Sequence, residues 1–252
     1  MTRLFFLDVP VDLLSMAETV SLAESAMASR KSIRHVSLNV AKLVKLRKDQ
    51  DLARDVAESD IVGLDGMGIV WALRLFGARG ARRVAGCDLM FEMFEYCAKT
   101  GRRPYVLGAR QEVLDRALAE AHRRWPGLEM AGARNGYFKA EDESGIVAAI
   151  RASGADCLFV AMPSPRKEQF LARNHELLGV PFVMGVGGSI DVLAGVVSRA
   201  PGWMQRNGLE WLHRLIQEPR KMARRYLVTN AVFAVMLARL IVKGQNPVSG
   251  PL

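Results

Sequence analysis

The fold class is decided by residues 157–186, which have the sequence CLFVAMPSPRKEQFLARNHELLGVPFVMGV. This stretch begins with an apolar run of strand length at 157–161, continues with a segment of helical period at 166–178, and ends with a second apolar run at 181–186. A strand, a helix and a strand in succession are typical of a βαβ unit, in which two parallel strands lie in one buried sheet.

The same alternation of apolar runs and helical segments extends from the N-terminus to about residue 196. It predicts a Rossmann-like α/β fold with a mainly parallel sheet and helices on both faces. The predicted strands are 4–9, 35–38, 60–64, 105–108, 128–132, 157–161 and 181–186. The predicted helices are 11–29, 40–57, 68–76, 88–99, 110–124, 142–152 and 166–178.

The composition agrees with one packed α/β body in a chain of 252 residues. Hydrophobic residues make up 50% of the chain and charged residues 24%, which excludes a disordered or fibrous protein. The three cysteines form no CxxC pair, so we expect buried thiols in a reducing compartment rather than a metal or redox site. No run of roughly 18–20 apolar residues predicts a transmembrane helix, and the N-terminus lacks the apolar core of a secretory signal.

The chain changes character after about residue 196. Residues 199–225 contain seven Lys or Arg and only two acids, interleaved with Trp203, Trp211 and aliphatic residues. No further strand is predicted there, and Pro219 is expected to begin a helix, since proline suits the first helical position. We therefore expect an α/β core at 1–198 and a C-terminal helical basic appendage at 199–252.

The net charge of +9 indicates an anionic partner, and the basic appendage has several interpretations. A solvated charged face is the simplest. Nucleic-acid binding is disfavoured, because no helix-turn-helix or RNP-like pattern accompanies the charges. Docking on an anionic membrane surface is favoured, because tryptophans and aliphatic residues share the segment with arginines at amphipathic spacing. Some arginines also suit a diphosphate, since guanidinium groups match phosphate oxygens.

Residues that follow strands are the candidates for a site, because ligands of parallel α/β sheets bind at the carboxyl ends of the strands. Asp65 follows the strand at 60–64, and a carboxylate there can accept a proton from a substrate hydroxyl. An Asp in this position can also cap the helix that begins near Met67. The segment GVGGS (185–189) joins a strand to a helix, where backbone amides bind phosphate. Such glycines also serve simply to allow a positive φ.

Several enzyme classes lack their motifs in this sequence. Ile190 stands where the dinucleotide fingerprint requires glycine, which disfavours a nicotinamide enzyme. The four histidines are scattered without an HExxH pattern or a Cys/His cluster, so no metal site is expected. A G-x-S-x-G elbow and a Walker lysine are also absent. A nucleotide-dependent oxidoreductase is therefore the weakest of the functions considered.

Six motifs carry a resemblance to one family. They are SLNV (37–40), LDGMGIVWALRLFG (64–77), RVAGCDL (83–89), NGYF (135–138), MPSPRKEQF (162–170) and the long stretch 185–227. Through them the sequence resembles the WecG/TagA/CpsF glycosyltransferases, which attach a second sugar to undecaprenyl-diphosphate-linked saccharides in the synthesis of bacterial surface polymers. An inactive membrane-docking scaffold with the same fold remains the alternative function.

The resemblance implies an inverting, metal-independent transfer from a UDP-sugar, without a cofactor. It makes Asp65 the proposed base. Ser37 stands where the family usually has threonine in a T-x-N motif, and its hydroxyl is the second predicted catalytic group, able to hydrogen-bond the substrate. Lys167 replaces the usual glutamine and Phe170 the usual tryptophan. A cation at position 167 suits a phosphate or a sugar carboxylate, so the expected donor is UDP-N-acetylmannosamine, a UDP-uronic acid or a UDP-hexose.

The remaining expectations concern substrate contacts and location. We expect a protein peripheral on the cytoplasmic face of the membrane, with no nucleic-acid partner. The family resemblance also implies self-association through the α/β body. Its acceptor is an undecaprenyl-diphosphate-linked saccharide. The residues expected to bind substrate are Asn39, Lys167, Glu168, Gly185, Gly187, Gly188, Asp191, Arg214, Lys221 and Arg224.

Overall fold

The computed structural model describes residues 2–251, apart from the side chains of Lys221, Met222, Arg224 and Arg225. The strands are β1 (Arg3–Phe6), β2 (Val9–Asp12), β3 (Ile33–Leu38), β4 (Ile61–Leu64), β5 (Pro104–Gly108), β6 (Gly132–Arg134), β7 (Cys157–Ala161), β8 (Phe182–Gly185) and β9 (Val248–Ser249). The helices are α1 (Met16–Ser29), α2 (Val40–Leu46), α3 (Gln50–Ala57), α4 (Met67–Leu75), α5 (Gly86–Thr100), α6 (Gln111–Arg124), α7 (Glu143–Ala152), α8 (Arg166–Leu178), α9 (Ser189–Leu193), α10 (Gly202–Arg206), α11 (Glu210–Gln217) and α12 (Pro219–Val242).

Six strands form one parallel sheet in the order β4-β3-β8-β7-β5-β6. Its central strands are buried along their whole length, as the apolar runs predicted. Helices cover both faces: one core layer includes Phe94 of α5 and Met184 of β8, and another includes Leu43 of α2 and Leu38 of β3. The predicted Rossmann-like α/β fold with helices on both faces is confirmed.

Two predicted strands differ from the structure. The single strand expected at 4–9 is an antiparallel hairpin of β1 and β2, which turns at Leu7 and Asp8 with φ of 52° and 65°. Neither residue is a glycine, so the sequence carries no clear signal for this turn. The edge strand expected at 128–132 lies slightly later, as β6.

Two predicted helices were too long. The helix expected at 11–29 begins only at Met16, because Val11 and Asp12 belong to β2 and Ser15 forms the N-cap. The helix expected at 40–57 is divided into α2 and α3. Asp49 caps the second of these, since its side chain accepts a hydrogen bond from the backbone N of the third residue of α3.

The C-terminal helices pack against the α/β body. Pro219 begins α12, as predicted. Phe233 in this helix is buried in the core that lies beneath α2. β9 then pairs with β1, so the expectation of no strand after residue 196 was wrong. A strand of two residues is too short to produce a period in the sequence. The division of the chain at residue 198 stays a prediction.

Two of the three thiols are buried as expected. Cys97 and Cys157 lie in the core with their Sγ atoms 3.7 Å apart. Cys87 is only partly buried, which the sequence did not predict. Burial nevertheless raises the pKa of the Cys87 thiol to about 11, which favours the protonated thiol at neutral pH.

Candidate active site

The carboxyl ends of three neighbouring parallel strands, β3, β4 and β8, meet at one edge of the sheet and bring predicted site residues together. Ser37 lies near the end of β3, and Asn39 follows that strand. Asp65 follows β4, and Gly185 ends β8. β3 pairs with both β4 and β8, so residues far apart in the sequence lie side by side along this edge.

Asp65 does not cap the helix that follows it, so that alternative is wrong. The N-cap of α4 is Gly66, which makes no side-chain cap hydrogen bond. Asp65 Oδ1 instead accepts a hydrogen bond of 3.1 Å from the backbone N of Gly86, the first residue of α5. The positive end of that helix dipole faces the carboxylate. Among the residues that the structure describes, none donates a hydrogen bond to Oδ2, so this oxygen is available to a substrate hydroxyl.

Ser37 and Asn39 have different roles in the architecture around Asp65. Ser37 Oγ is buried and has no partner among the described residues. It lies directly beneath α5, because a Cβ at Gly86 would stand only 3.1 Å from Oγ. Asn39 is the N-cap of α2, and its Oδ1 accepts a hydrogen bond of 3.0 Å from the backbone N of Lys42. The amide oxygen of Asn39 therefore serves to cap α2.

The backbone amides of the glycine loop, 185–188, are mostly engaged. The amides of Val186 and Gly187 both donate to the carbonyl oxygen of Val160, at 3.0 and 3.3 Å. The expectation that this loop offers a set of free amides is therefore wrong. For the amide of Gly188, the described part of the chain supplies no acceptor. Tertiary pairing with β7, which the loop sequence does not reveal, explains the difference.

Two cationic side chains lie directly against the glycines of this loop. A Cβ at Gly185 would stand 2.8 Å from Lys167 Cδ, and a Cβ at Gly188 would stand 2.7 Å from Arg214 Nη2. A side chain at either position would therefore displace the end of Lys167 or Arg214 from the loop. Arg214 Nε is buried and has no hydrogen-bond partner among the described residues. Side chains, more than amides, thus make this edge attractive to an anion.

Three charged side chains form a buried ionic cluster beside the loop: Lys42, Lys167 and Glu168. Lys42 Nζ lies 2.8 Å and Lys167 Nζ 3.3 Å from the same oxygen, Glu168 Oε1. Burial is the main cause that lowers the pKa of Lys42 to about 8, while Glu168 opposes that change and Lys167 adds to it. Burial alone would raise the pKa of Glu168, but the two ammonium groups lower it below its ordinary value. Lys42 was not predicted, because nothing in the pattern of α2 distinguishes it from a solvent-facing lysine.

The C-terminal segment reaches the site through α11. Glu210, in its first turn, forms ion pairs with Arg83 and Arg199. Arg83 Nε also donates a hydrogen bond of 2.8 Å to the backbone oxygen of Asp65. Arg214 in the same helix lies over the glycine loop. A chain of contacts therefore connects α11 to the backbone of Asp65. Motif membership was the only sequence signal for Arg83 and Arg199.

The three other residues predicted to contact the substrate lie in α9 and α12. Asp191 lies in α9, with Oδ2 3.3 Å from the position that a Cβ at Gly188 would occupy. Lys221 and Arg224 lie in α12, and their side chains fall outside the described residues. Their proposed contacts with phosphate stay predictions.

The positive charges at this edge of the sheet come from lysine and arginine side chains. Within the described part of the chain, no group of three or more His, Cys, Asp or Glu side chains is placed to hold a metal ion. Lys167 and Arg214 flank the glycine loop, and Arg83 lies against the backbone of Asp65. This donor set suits an anionic substrate group.

A comparison with protein-family models matches residues 4–247 to the Glycosyl transferase WecG/TagA/CpsF family. The chain belongs to this family. The match includes the parallel sheet, the carboxyl edge with Asp65 and almost all of the C-terminal segment. The resemblance found in the sequence motifs is therefore confirmed, and the chain is a glycosyltransferase by family.

This glycosyltransferase exposes apolar side chains along its C-terminal helices. Val228, Val232 and Val235 lie on one face of α12 at helical spacing and are each at least 36% exposed. Trp203 in α10 and Trp211 in α11 are also exposed. None of the described helices is both long enough and apolar enough to cross a membrane. The exposed stripe on α12 is thus a surface feature of a helix that also contributes to the core.

Proposed function

We propose that this protein is an inverting, metal-independent glycosyltransferase that moves a sugar from a UDP-sugar to an undecaprenyl-diphosphate-linked saccharide in bacterial exopolysaccharide or cell-wall polymer synthesis. One observation carries the proposal. Asp65 stands at the carboxyl edge of the sheet with one oxygen bound to the amide of Gly86 and the other unengaged by described residues. The family supports glycosyl transfer, and the chemistry of this edge supports the finer assignment.

The reaction is a single displacement. Asp65 Oδ2 accepts the proton of the acceptor hydroxyl while that hydroxyl oxygen attacks the anomeric carbon of the donor sugar. The bond between the anomeric carbon and the phosphate oxygen breaks in the same step, so the configuration at the anomeric carbon is inverted. The hydrogen bond from Gly86 holds the carboxylate in one orientation, which supplies the positioning that such a step requires.

Negative charge grows on the phosphate oxygens of UDP as it leaves. Arg214 and Lys167 lie on either side of the glycine loop, where they stabilise that charge, and the amide of Gly188 adds one donor. Lys221 and Arg224 are proposed to add two further cations. This set of fixed positive groups replaces the divalent cation that many sugar-nucleotide enzymes use, and it supports a reaction that needs no metal.

The acceptor remains anchored in the bilayer through its lipid, so we propose that the enzyme binds the cytoplasmic face of the membrane as a peripheral protein. The exposed valines of α12 and the exposed Trp203 and Trp211 suit the interfacial region of a bilayer. Each Lys or Arg near an anionic surface adds about 1 kcal/mol. The C-terminal segment connects this surface to the site, because α11 contacts both Arg83 and the glycine loop.

A transfer assay tests the proposal. Thermal shifts with a panel of UDP-hexoses, UDP-N-acetylhexosamines and UDP-hexuronates identify the donor, because binding stabilises the folded state by mass action. The donor is then incubated with a short-chain polyprenyl-diphosphate saccharide in the presence of EDTA, and the anomeric configuration of the product is determined by NMR. Inverted product in EDTA is expected. Donor binding without transfer to any acceptor would favour the inactive docking scaffold, and a retained configuration would overturn the single displacement.

A further inference from the structure

The buried cluster of Lys42, Lys167 and Glu168 contains two ammonium groups and one carboxylate. Both Nζ atoms approach the same oxygen, Glu168 Oε1, but Lys42 is the closer at 2.8 Å, against 3.3 Å for Lys167. Lys42 and Glu168 are almost fully buried, at 7% and 3% exposure. A buried charge must be paired, so Lys42 and Glu168 neutralise one another and the positive charge of Lys167 is left in excess.

Lys167 is the member of the cluster that reaches the site. Its side chain lies along Gly185, and its Nζ is 3.5 Å from the position that a Cβ at Gly187 would occupy. Its side chain retains 13% exposure, against 6% for that of Lys42. The excess charge therefore lies at the loop where the donor is proposed to bind, and not in the closed interior.

We infer that Lys42 is a positioning residue: by forming the shorter ion pair with Glu168 it leaves the ammonium group of Lys167 available to bind an anionic group of the donor beside Gly187. The anionic group is either the diphosphate or a carboxylate on the sugar. The inference rests on the proposed use of a UDP-sugar donor, and it adds a residue that makes no contact with the substrate.

The charged groups around Lys42 determine what happens when its charge is removed. Glu168 and Lys167 face it from α8, and Asp65 acts on it from the end of β4. His35 in β3 is buried nearby and is uncharged at neutral pH, because burial lowers its pKa to about 3. Without a charge on Lys42, Lys167 is the remaining partner of Glu168, and the carboxylate draws the ammonium group away from the donor.

Three variants test this charge balance. In Lys42→Met the affinity for the UDP-sugar should fall at least about tenfold, because Glu168 then competes with the donor for Lys167. In Lys42→Met/Glu168→Gln both charges are removed together, and the affinity should recover to within about threefold of the parent. Lys42→Arg keeps the charge and should bind like the parent. Unchanged affinity in Lys42→Met, or no recovery in the double variant, would overturn the inference.

The pH dependence of donor binding keeps the test decisive even if Lys42→Met does not fold. Burial lowers the pKa of Lys42 to about 8, so the parent loses this charge as the pH rises through about 8. Its affinity for the UDP-sugar, measured by calorimetry between pH 7 and pH 9, should weaken over that range. The Lys42→Arg variant stays protonated and should bind without that weakening. Titration of the ligand itself affects the parent and Lys42→Arg equally, so a difference between their pH profiles reports on residue 42. Identical profiles in both proteins would contradict the proposed role.

Three ligands distinguish the two sources of the anionic group. Binding of UDP, a UDP-hexose and a UDP-hexuronate is compared in the parent and in Lys42→Met. Weaker binding of all three assigns Lys167 to the diphosphate, whereas weaker binding of the UDP-hexuronate alone assigns it to a sugar carboxylate. The proposed function fails separately, if the parent binds a UDP-sugar but transfers nothing. The inference fails alone if the parent transfers sugar and Lys42→Met binds every ligand as the parent does.

Discussion

The ring of Phe233 in α12 lies edge to face against the ring of Phe6 in β1, with their centroids 6.4 Å apart and their planes at 72°. Phe6 is fully buried and Phe233 is 6% exposed. These residues stand near opposite ends of the sequence, so the aromatic contact ties the last long helix to the N-terminal hairpin. The helix that carries an exposed apolar stripe is therefore also part of the core.

The first prediction concerns this contact. Phe233→Ala should lower the free energy of unfolding by about 3–5 kcal/mol, because it removes a buried aromatic side chain and leaves a cavity. Urea unfolding followed by circular dichroism measures the change. Val235→Ala is the matched control, since Val235 lies on the same helix and is 50% exposed, and its effect should stay within about 0.5 kcal/mol. Equal effects of the two substitutions would show that α12 is not anchored through Phe233.

The parallel sheet was predictable because its strands are buried on both faces and produce continuous apolar runs, as at 157–161. The hairpin of β1 and β2 was not, because its turn uses Leu7 and Asp8 at positive φ in place of glycine or proline. β9 was not predictable either, because a strand of two residues is too short to show an alternating pattern in the sequence. In each failure the element is fixed by tertiary pairing and not by its own sequence.

The position of the site was predictable for a similar reason: carboxyl ends of parallel strands meet at one edge, which brought Asp65 and the glycine loop together. The details depended on contacts that no local pattern contains. The amide of Gly187 is engaged by Val160 from another strand. Lys42 is inside because α8 covers it with Glu168, and a lysine in a short helix gives no sign of that.

The second prediction concerns acid stability. His35 is fully buried, and neither ring nitrogen has a partner among the described residues. Burial is the main cause that lowers the pKa of His35 to about 3, and the charge of Lys42 adds to it. The unfolded chain binds this proton near pH 6.5, so between about pH 6.5 and pH 3 the unfolded state takes up a proton that the folded state does not. Stability is therefore lost as the pH falls through that window, by about 3 kcal/mol at pH 4.

His35→Leu should remove this loss. Urea unfolding at pH 7.5 and at pH 4.5 should show a smaller difference for the variant than for the parent, with stability at pH 7.5 kept or raised. His122→Leu is the control, because His122 is an exposed histidine in α6. An identical pH dependence in His35→Leu and the parent would show that His35 is not the group that titrates.

The third prediction concerns the exposed stripe on α12. Val228→Glu/Val235→Glu should weaken binding to vesicles that contain anionic lipid by at least about tenfold, because each apolar side chain at the interface contributes roughly 1.5–3 kcal/mol when buried. Sedimentation with the vesicles measures the bound fraction. These point substitutions are preferable to truncation, since truncation also removes Phe233 from the core.

The same double variant should bind the UDP-sugar normally, because both valines lie on the exposed face of α12. Leu177→Glu is the matched control: Leu177 is 55% exposed but lies in α8, outside the C-terminal segment. If both proteins bind vesicles as the parent does, membrane docking does not use this stripe.

The fourth prediction concerns the proposed base. Asp65→Asn should lower the rate of transfer by ~10²–10⁴-fold, because an amide cannot accept the proton of the acceptor hydroxyl. The amide oxygen of asparagine can still accept the hydrogen bond from Gly86, so the fold and the affinity for the UDP-sugar should be kept. Single-turnover transfer and calorimetry separate these two effects. Asp51→Asn is the control, since Asp51 is exposed in α3 and pairs only with Arg54 among the described residues. Turnover near that of the parent in Asp65→Asn, with donor affinity unchanged, would limit Asp65 to a structural role at the start of α5.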